Sequence, residues 1–127
     1  MSNPVGWFEI YVQDMPRAKA FYEAVFQQAL EPMRSPDTFP EIKMFLFPMQ
    51  NDAYGAGGAL VKMEGFTAGA NSTIVYFSSV DCTTEVERVR QYGDGAVIRD
   101  KWSIGENGFI ALIRDTEGNI FGLHSLE

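Results

Sequence analysis

The 127-residue chain reads as a single α+β domain built from two βαβββ modules. Three observations predict this. A β-rich run leads twice to an Asp that opens an amphipathic helix, at Asp14 and at Asp81, 67 residues apart. Each helix is followed by three short β candidates separated by Pro, Asp and Gly. The stretch 64–71, with Gly65, Gly69 and Asn71, has linker character and divides the chain near its middle. Module one is expected over about 4–64, the linker over 65–71 and module two over about 72–127.

Residues 5–12 form the first expected strand, with Trp7, Glu9 and Tyr11 on one face and Phe8, Ile10 and Val12 on the other. Asp14 caps the first helix, Pro16 is tolerated in its first turn, and Met15, Ala18, Tyr22 and Val25 recur at helical spacing. That helix is expected to end near Gln28. Strands follow over 29–33, 43–47 and 57–63, punctuated by Ser35-Pro36-Asp37 and Asn51-Asp52. The second module repeats the plan with a strand over 73–80. Shifting by 67 residues carries Met15, Tyr22 and Val25 onto Cys82, Val89 and Tyr92, the apolar stripe of the second helix. Thr84-Glu85-Val86-Glu87 has capping-box spacing at its start, and Gly93 supplies its stop. Strands over 96–99, 109–114 and 119–125 complete the module, the last two joined by the tight-turn sequence Asp115-Thr116-Glu117-Gly118-Asn119. Residue identity between the halves is low, and the pattern by itself also suits other α+β domains with two helices.

With 46% hydrophobic residues the chain can fill a core. One histidine, His124, and one cysteine, Cys82, leave no intrachain disulfide and no Cys/His zinc site. Cys82 lies on the apolar stripe of the second helix and reads as buried rather than nucleophilic. The net charge of −7 argues against a nucleic-acid partner. The densest basic pairs, Arg88/Arg90 and Arg99/Lys101, sit beside Glu87 and Asp100 and read as solvated faces. No apolar run approaches the roughly 18 residues of a membrane span. Met1-Ser2-Asn3-Pro4 lacks signal-peptide character, so a cytoplasmic location is expected. Gly55-Ala56-Gly57-Gly58 is followed by a strand and no Lys-Ser/Thr, which fits close backbone approach or a bulge better than a phosphate loop. Phe45, Leu46 and Phe47 read as core and dimer packing.

Three stretches carry a family resemblance: Asp14-Met15-Pro16-Arg17-Ala18-Lys19-Ala20-Phe21-Tyr22, Val75-Tyr76-Phe77 leading to Asp81, and Ile110 through Asp115-Thr116-Glu117-Gly118-Asn119 to His124-Ser125. With them the sequence resembles the vicinal oxygen chelate superfamily, which contains glyoxalase I, bleomycin and fosfomycin resistance proteins and extradiol dioxygenases. It looks most like the glyoxalase-like bacterial branch. The resemblance implies two βαβββ modules whose mixed sheets curl around a shared cavity, usually in a homodimer. In metal-using members four ligands from the first and last strand of each module enter that cavity, and the ion stabilises an anion such as an enediolate.

Carried onto this sequence, the four ligand positions fall on Trp7, Ile74, Gly122 and Gly58 or Ala59, none with a metal donor in its side chain. The expected site therefore holds no metal and no other cofactor. The expected ligand pocket comprises Trp7, Glu9, Tyr11, Ile74, Tyr76, Gly122 and His124, and the aromatic members suit either a pocket wall or plain core. Glu9 lies two residues beyond Trp7 and His124 two beyond Gly122, so alternation turns both toward the cavity. They are the catalytic candidates, as an acid and base or a partial metal site. Equally, Glu9 reads as a strand carboxylate paired at a dimer interface and His124 as bonded to backbone. The leading expectation is a homodimer that binds a small organic molecule without metal, as a sequestering resistance protein does. The alternatives are a glyoxalase-like lyase or isomerase, or a dioxygenase, using Glu9 and His124, and a module with a filled cavity serving protein association.

Overall fold

The computed structural model describes residues 3–33 and 42–127. The Ser35-Pro36-Asp37 punctuation lies outside them. Module one contains β1 (Trp7–Tyr11), α1 (Met15–Phe26), β2 (Glu31–Met33), β3 (Lys43–Leu46) and β4 (Gly57–Lys62). Module two contains β5 (Tyr76–Ser78), α2 (Cys82–Tyr92), β6 (Ala96–Ser103), a 3₁₀ turn Gly105–Asn107, β7 (Phe109–Arg114) and β8 (Ile120–Ser125). The twofold βαβββ order is the expected one.

Each module forms its own four-stranded mixed sheet, β1-β4-β3-β2 and β5-β8-β7-β6. The first and last strands of each module run parallel, and the remaining pairs are antiparallel. Among the described residues no strand of one sheet pairs with the other, so the sheets are not closed into one another.

Local chemistry explains the boundaries. Asp14 accepts a hydrogen bond from the Arg17 N–H at 3.0 Å, capping α1, and Gln27 ends it in a left-handed conformation with φ 55°. The Leu30 N–H donates to the Glu23 carboxylate at 2.8 Å, so β2 begins one residue later, at Glu31. The capping-box reading of Thr84 to Glu87 is corrected. α2 starts at Cys82 because the Asp81 carboxylate accepts from the Thr83 N–H at 2.9 Å, and Glu85 turns instead to the Ser79 hydroxyl. Gly93 closes α2 at φ 84°, as expected. β6 continues to Ser103, four residues beyond the expected end.

The helices pack on one face of the sheets and build one core across both modules. Ile10, Phe21, Tyr22, Val25 and Leu60 of module one bury against Val86, Val89, Ile113, Phe121 and Leu123 of module two. Phe77 sits between the modules, 5.7 Å from the Phe8 ring and 5.3 Å from Phe47. Phe45 and Phe47 pack against this core, which agrees with the core part of their sequence reading. Each fully buried side chain of this size contributes about 1.5–3 kcal/mol of transfer free energy, which neither half gains alone. Cys82 is fully buried, its N–H donating to the Ser125 hydroxyl at 3.1 Å.

The turn before β8 joins the modules. Asp115, almost fully buried, accepts from the Tyr22 hydroxyl at 2.7 Å, and its other oxygen takes the Glu117 and Asn119 N–H groups at 2.8 Å. Glu117 reaches the start of α1, accepting from the Gln13 and Asp14 N–H groups at 2.9 Å and from Arg17 at 2.7 Å. Asn119 donates to the Tyr11 carbonyl at 2.9 Å and accepts from the Gly69 N–H at 2.7 Å. Burial works against the Glu117 charge, but the bonds from Arg17, Asp14, Gln13 and Thr116 outweigh it and hold its pKa down to about 2. Burial and then the Asp115 charge push the Tyr22 hydroxyl well above its usual value. No helix among the described residues is long and apolar enough to cross a membrane.

Candidate functional site

Strand alternation gives each sheet a helix-packed face and a helix-free face. In sheet two, Leu123, Phe121, Ala111 and Ile113 enter the core, which leaves the alternate residues of β7 and β8 on the opposite face. Register sets these in rows. One row runs Tyr76, Gly122, Leu112, Arg99, and its neighbour runs Ser78, His124, Ile110, Trp102. The Tyr76 ring lies over Gly122, in the space a Cβ there would take.

In sheet one, Phe8, Ile10 and Leu60 face the helices, so Trp7, Glu9 and Tyr11 lie on the helix-free face. The row through Glu9 runs Glu9, Ala59, Leu46, Glu31. The three β1 side chains form a hydrogen-bonded group: Trp7 Nε1 donates to Glu9 Oε2 at 3.2 Å and the Tyr11 hydroxyl to Glu9 Oε1 at 2.7 Å. Tyr11 stacks on Phe66 at 4.9 Å. Burial, then the hydrogen bond and charge of Glu9, push its pKa up to about 12, so it stays a hydrogen-bond donor at neutral pH.

The expected pocket residues thus divide into two groups. Trp7, Glu9 and Tyr11 meet on sheet one, while Tyr76, Gly122 and His124 share the helix-free face of sheet two; Ile74 lies just before β5 and is exposed. His124 Nε2 donates to the Asn107 carbonyl at 2.7 Å, a backbone bond of the kind its structural reading foresees. No hydrogen bond joins Glu9 to His124. Large apolar side chains stay exposed: Trp7 at 39%, Ile74 at 40%, Met33 at 43% and Tyr76 at 45%.

Register also decides between Gly58 and Ala59. Glu9 and Tyr76 are equivalent residues; Glu9 pairs with Ala59 and Tyr76 with Gly122, so Ala59 is the counterpart of Gly122. Gly58 belongs to the helix side, where a Cβ would overlap the Phe8 ring. Trp7, Ile74, Ala59 and Gly122 offer no metal donor in their side chains, so the metal of metal-using chelate proteins does not fit these positions. Among the described residues no three His, Cys, Asp or Glu side chains gather into a possible metal site.

Arg99 and Arg114 fall on expected strands, whereas Trp102 lies beyond the expected end of the strand over 96–99. Arg99 is exposed, as its reading on a solvated face expects, and the strand runs past it to Ser103. The missing signal is an irregular register in β6, which no local pattern announces. On the other side of sheet one, Met15, Pro16, Lys19, Ala20, Glu23 and Phe45 line a shallow groove, whose charged members Lys19 and Glu23 pair with each other at 3.0 Å.

No family model matches the sequence, and no curated protein is significantly similar to it. Solved structures are similar to it in fold. Glyoxalase I from Zea mays aligns at TM-score 0.73 and 19% identity, over 97% of this chain and 46% of that one. The fosfomycin resistance protein FosX from Listeria monocytogenes aligns at 0.68 and 16% identity, over 98% and 91%. An antibiotic binding protein from a Streptomyces strain aligns at 0.67 and 22%, over 98% and 96%. The chain spans about half the length of the Zea mays enzyme and nearly the full length of the other two. The fold is therefore that of the glyoxalase and bleomycin resistance proteins, which the sequence resemblance implied.

Proposed function

We propose that the chain binds a small organic molecule against the helix-free faces of its sheets, without a metal, as a cytoplasmic homodimer. The observation that carries this reading is the apolar surface that Trp7, Met33 and Tyr76 leave exposed on the helix-free faces, with Ile74 just before β5. The donor-free side chains of Trp7, Ile74, Ala59 and Gly122 support the metal-free part. The antibiotic binding and fosfomycin resistance proteins of the same fold support the ligand class. The dimer rests on the same exposed apolar side chains, which a second copy would cover.

Two measurements test the reading. Protein purified without chelator is expected to carry no stoichiometric metal, and one equivalent of Ni, Zn, Mn or Fe per chain overturns it. Thermal-shift screening against a metabolite and antibiotic library is expected to give stabilised hits, because a ligand that binds only the folded state raises the transition temperature. A complete absence of hits favours the protein-association alternative.

The enzymatic alternative, a glyoxalase-like lyase or isomerase or a dioxygenase working through Glu9 and His124, requires those groups to share one substrate. Their hydrogen bonds run instead to Trp7 and Tyr11 and to Asn107, which favours binding. Glu9→Gln is expected to leave a ligand-induced thermal shift in place. Measurable turnover that this substitution abolishes would restore the enzyme.

A further inference from the structure

β6 breaks register on both sides of Arg99, between Val97 and Arg99 and again between Arg99 and Trp102. Residues three apart in a regular strand point to opposite faces. Here Arg99 pairs with Leu112 and Trp102 with Ile110, two residues of the same helix-free face. The irregularity therefore brings the guanidinium over the indole, its carbon 3.7 Å from the ring centroid. Such bulges re-aim side chains and concentrate near binding sites.

Arg99 is exposed, and no carboxylate among the described residues lies within salt-bridge reach of it. Five other cations do find one: Arg17, Lys19, Arg88, Arg90 and Lys101. The adjacent Asp100 is taken by Arg90 at 2.9 Å. Arg114 lies on the same face as Leu112 and pairs with Ala96, diagonal to Arg99, and is likewise exposed without a carboxylate among the described residues. Two arginines without a carboxylate partner among the described residues thus share one face of a chain with net charge −7. Stacking restrains the Arg99 plane yet leaves its N–H edge free, the geometry that takes an oxyanion through two parallel bonds.

We propose that Arg99, held by Trp102 and seconded by Arg114, is an anion subsite that takes the carboxylate or phosphonate of a small planar organic acid. The body of the ligand lies on Ile110, Leu112 and Tyr76 in the adjoining rows. This deepens the small-molecule reading and rests on it.

Calorimetric titration of the full chain with 2-naphthoate and phenylphosphonate, beside neutral 2-naphthamide and dimethyl phenylphosphonate, tests the subsite. The anions are expected to bind about ten-fold tighter than their neutral counterparts, with the margin shrinking at high salt. Arg99→Gln is expected to erase that margin, and Arg99→Lys and Arg114→Gln to reduce it. Lys62→Gln, on the other sheet, is expected to leave it intact. Equal binding of acid and amide overturns the anion subsite and leaves the small-molecule reading standing. No binding of any probe counts against both. Loss of a dimer on Arg99→Gln in light scattering, with no anion preference, overturns the subsite by assigning Arg99 to a carboxylate of a second copy.

Discussion

Superimposing module one on module two by register sets Glu9, Ala59, Leu46, Glu31 against Tyr76, Gly122, Leu112, Arg99. The central residues stay small or apolar in both rows, while the outer ones exchange acid for aromatic and acid for base. The turns before the last strands differ as sharply. Asp52 and Gly55 occupy in module one the places of Asp115 and Gly118, and both glycines take positive φ, 97° and 86°. Yet Tyr54 stands where Glu117 would be and is 88% exposed, whereas the Glu117 side chain is fully shielded. The backbone plan is thus duplicated because strand pairing and tight turns need it. Side chains at equivalent positions are free to diverge, one turn holding the partner module and the other facing solvent.

The largest expected asymmetry lies in the turns. Asp115→Ala removes the acceptor of four hydrogen bonds, from Tyr22, Glu117 and Asn119 twice, and strands a buried hydroxyl. A loss of about 3–4 kcal/mol is expected in urea unfolding, against less than about 0.5 for Asp52→Ala on the exposed turn. Equal losses would break the comparison.

The next effect is acid-dependent. The folded-state pKa of Glu117 is depressed from 4.5 to about 2, so its contribution is complete above the unfolded value and disappears as pH falls through that window. Because Arg17 is 46% exposed, that contribution is discounted to about 2 kcal/mol. Unfolding of the wild type and Glu117→Gln, followed from pH 6 to 2, is expected to differ by this amount at the upper end and to converge at the lower. Tyr54→Gln should change nothing. A constant gap across the window would mean that Glu117 acts through packing rather than charge.

The smallest contrast concerns two glycines. Gly58→Ala drives a methyl into the partly buried Phe8 ring, itself packed on Phe47 and Phe77, and is expected to cost about 2 kcal/mol. Gly122→Ala meets only the half-exposed Tyr76 ring, which can swing away at a cost below about 1 kcal/mol. Thermal unfolding ranks the pair, and tyrosine ring resonances report the displaced Tyr76. Reversal of the order would place Tyr76, not Phe8, in the tighter surroundings.

Much of this was legible in the chain itself. Asp14 and Asp81 announce the helices because a short carboxylate caps N–H groups two or three residues on. The alternation of Trp7, Glu9 and Tyr11 with Phe8 and Ile10 separates the two faces, and the donor-free side chains of Trp7, Ile74 and Gly122 can be read without coordinates. The capping box at Thr84 misled because Asp81, three residues earlier, already caps the helix through the Thr83 N–H and so leaves Thr84 inside it. Gly58 and Ala59 could not be told apart, since one residue of register exchanges the two faces of a strand.

What the sequence by itself determined is therefore local: the twofold βαβββ order, the helix starts, and the residue types at each strand position, all set by interactions within a few residues. Tertiary structure alone decided that Glu117 caps a helix about a hundred residues away. It alone decided that Asp115 holds Tyr22 and that Arg99 and Trp102 share a face. These depend on which strand lies beside which and where pairing slips, and a register shift is paid for by neighbours that no single strand contains.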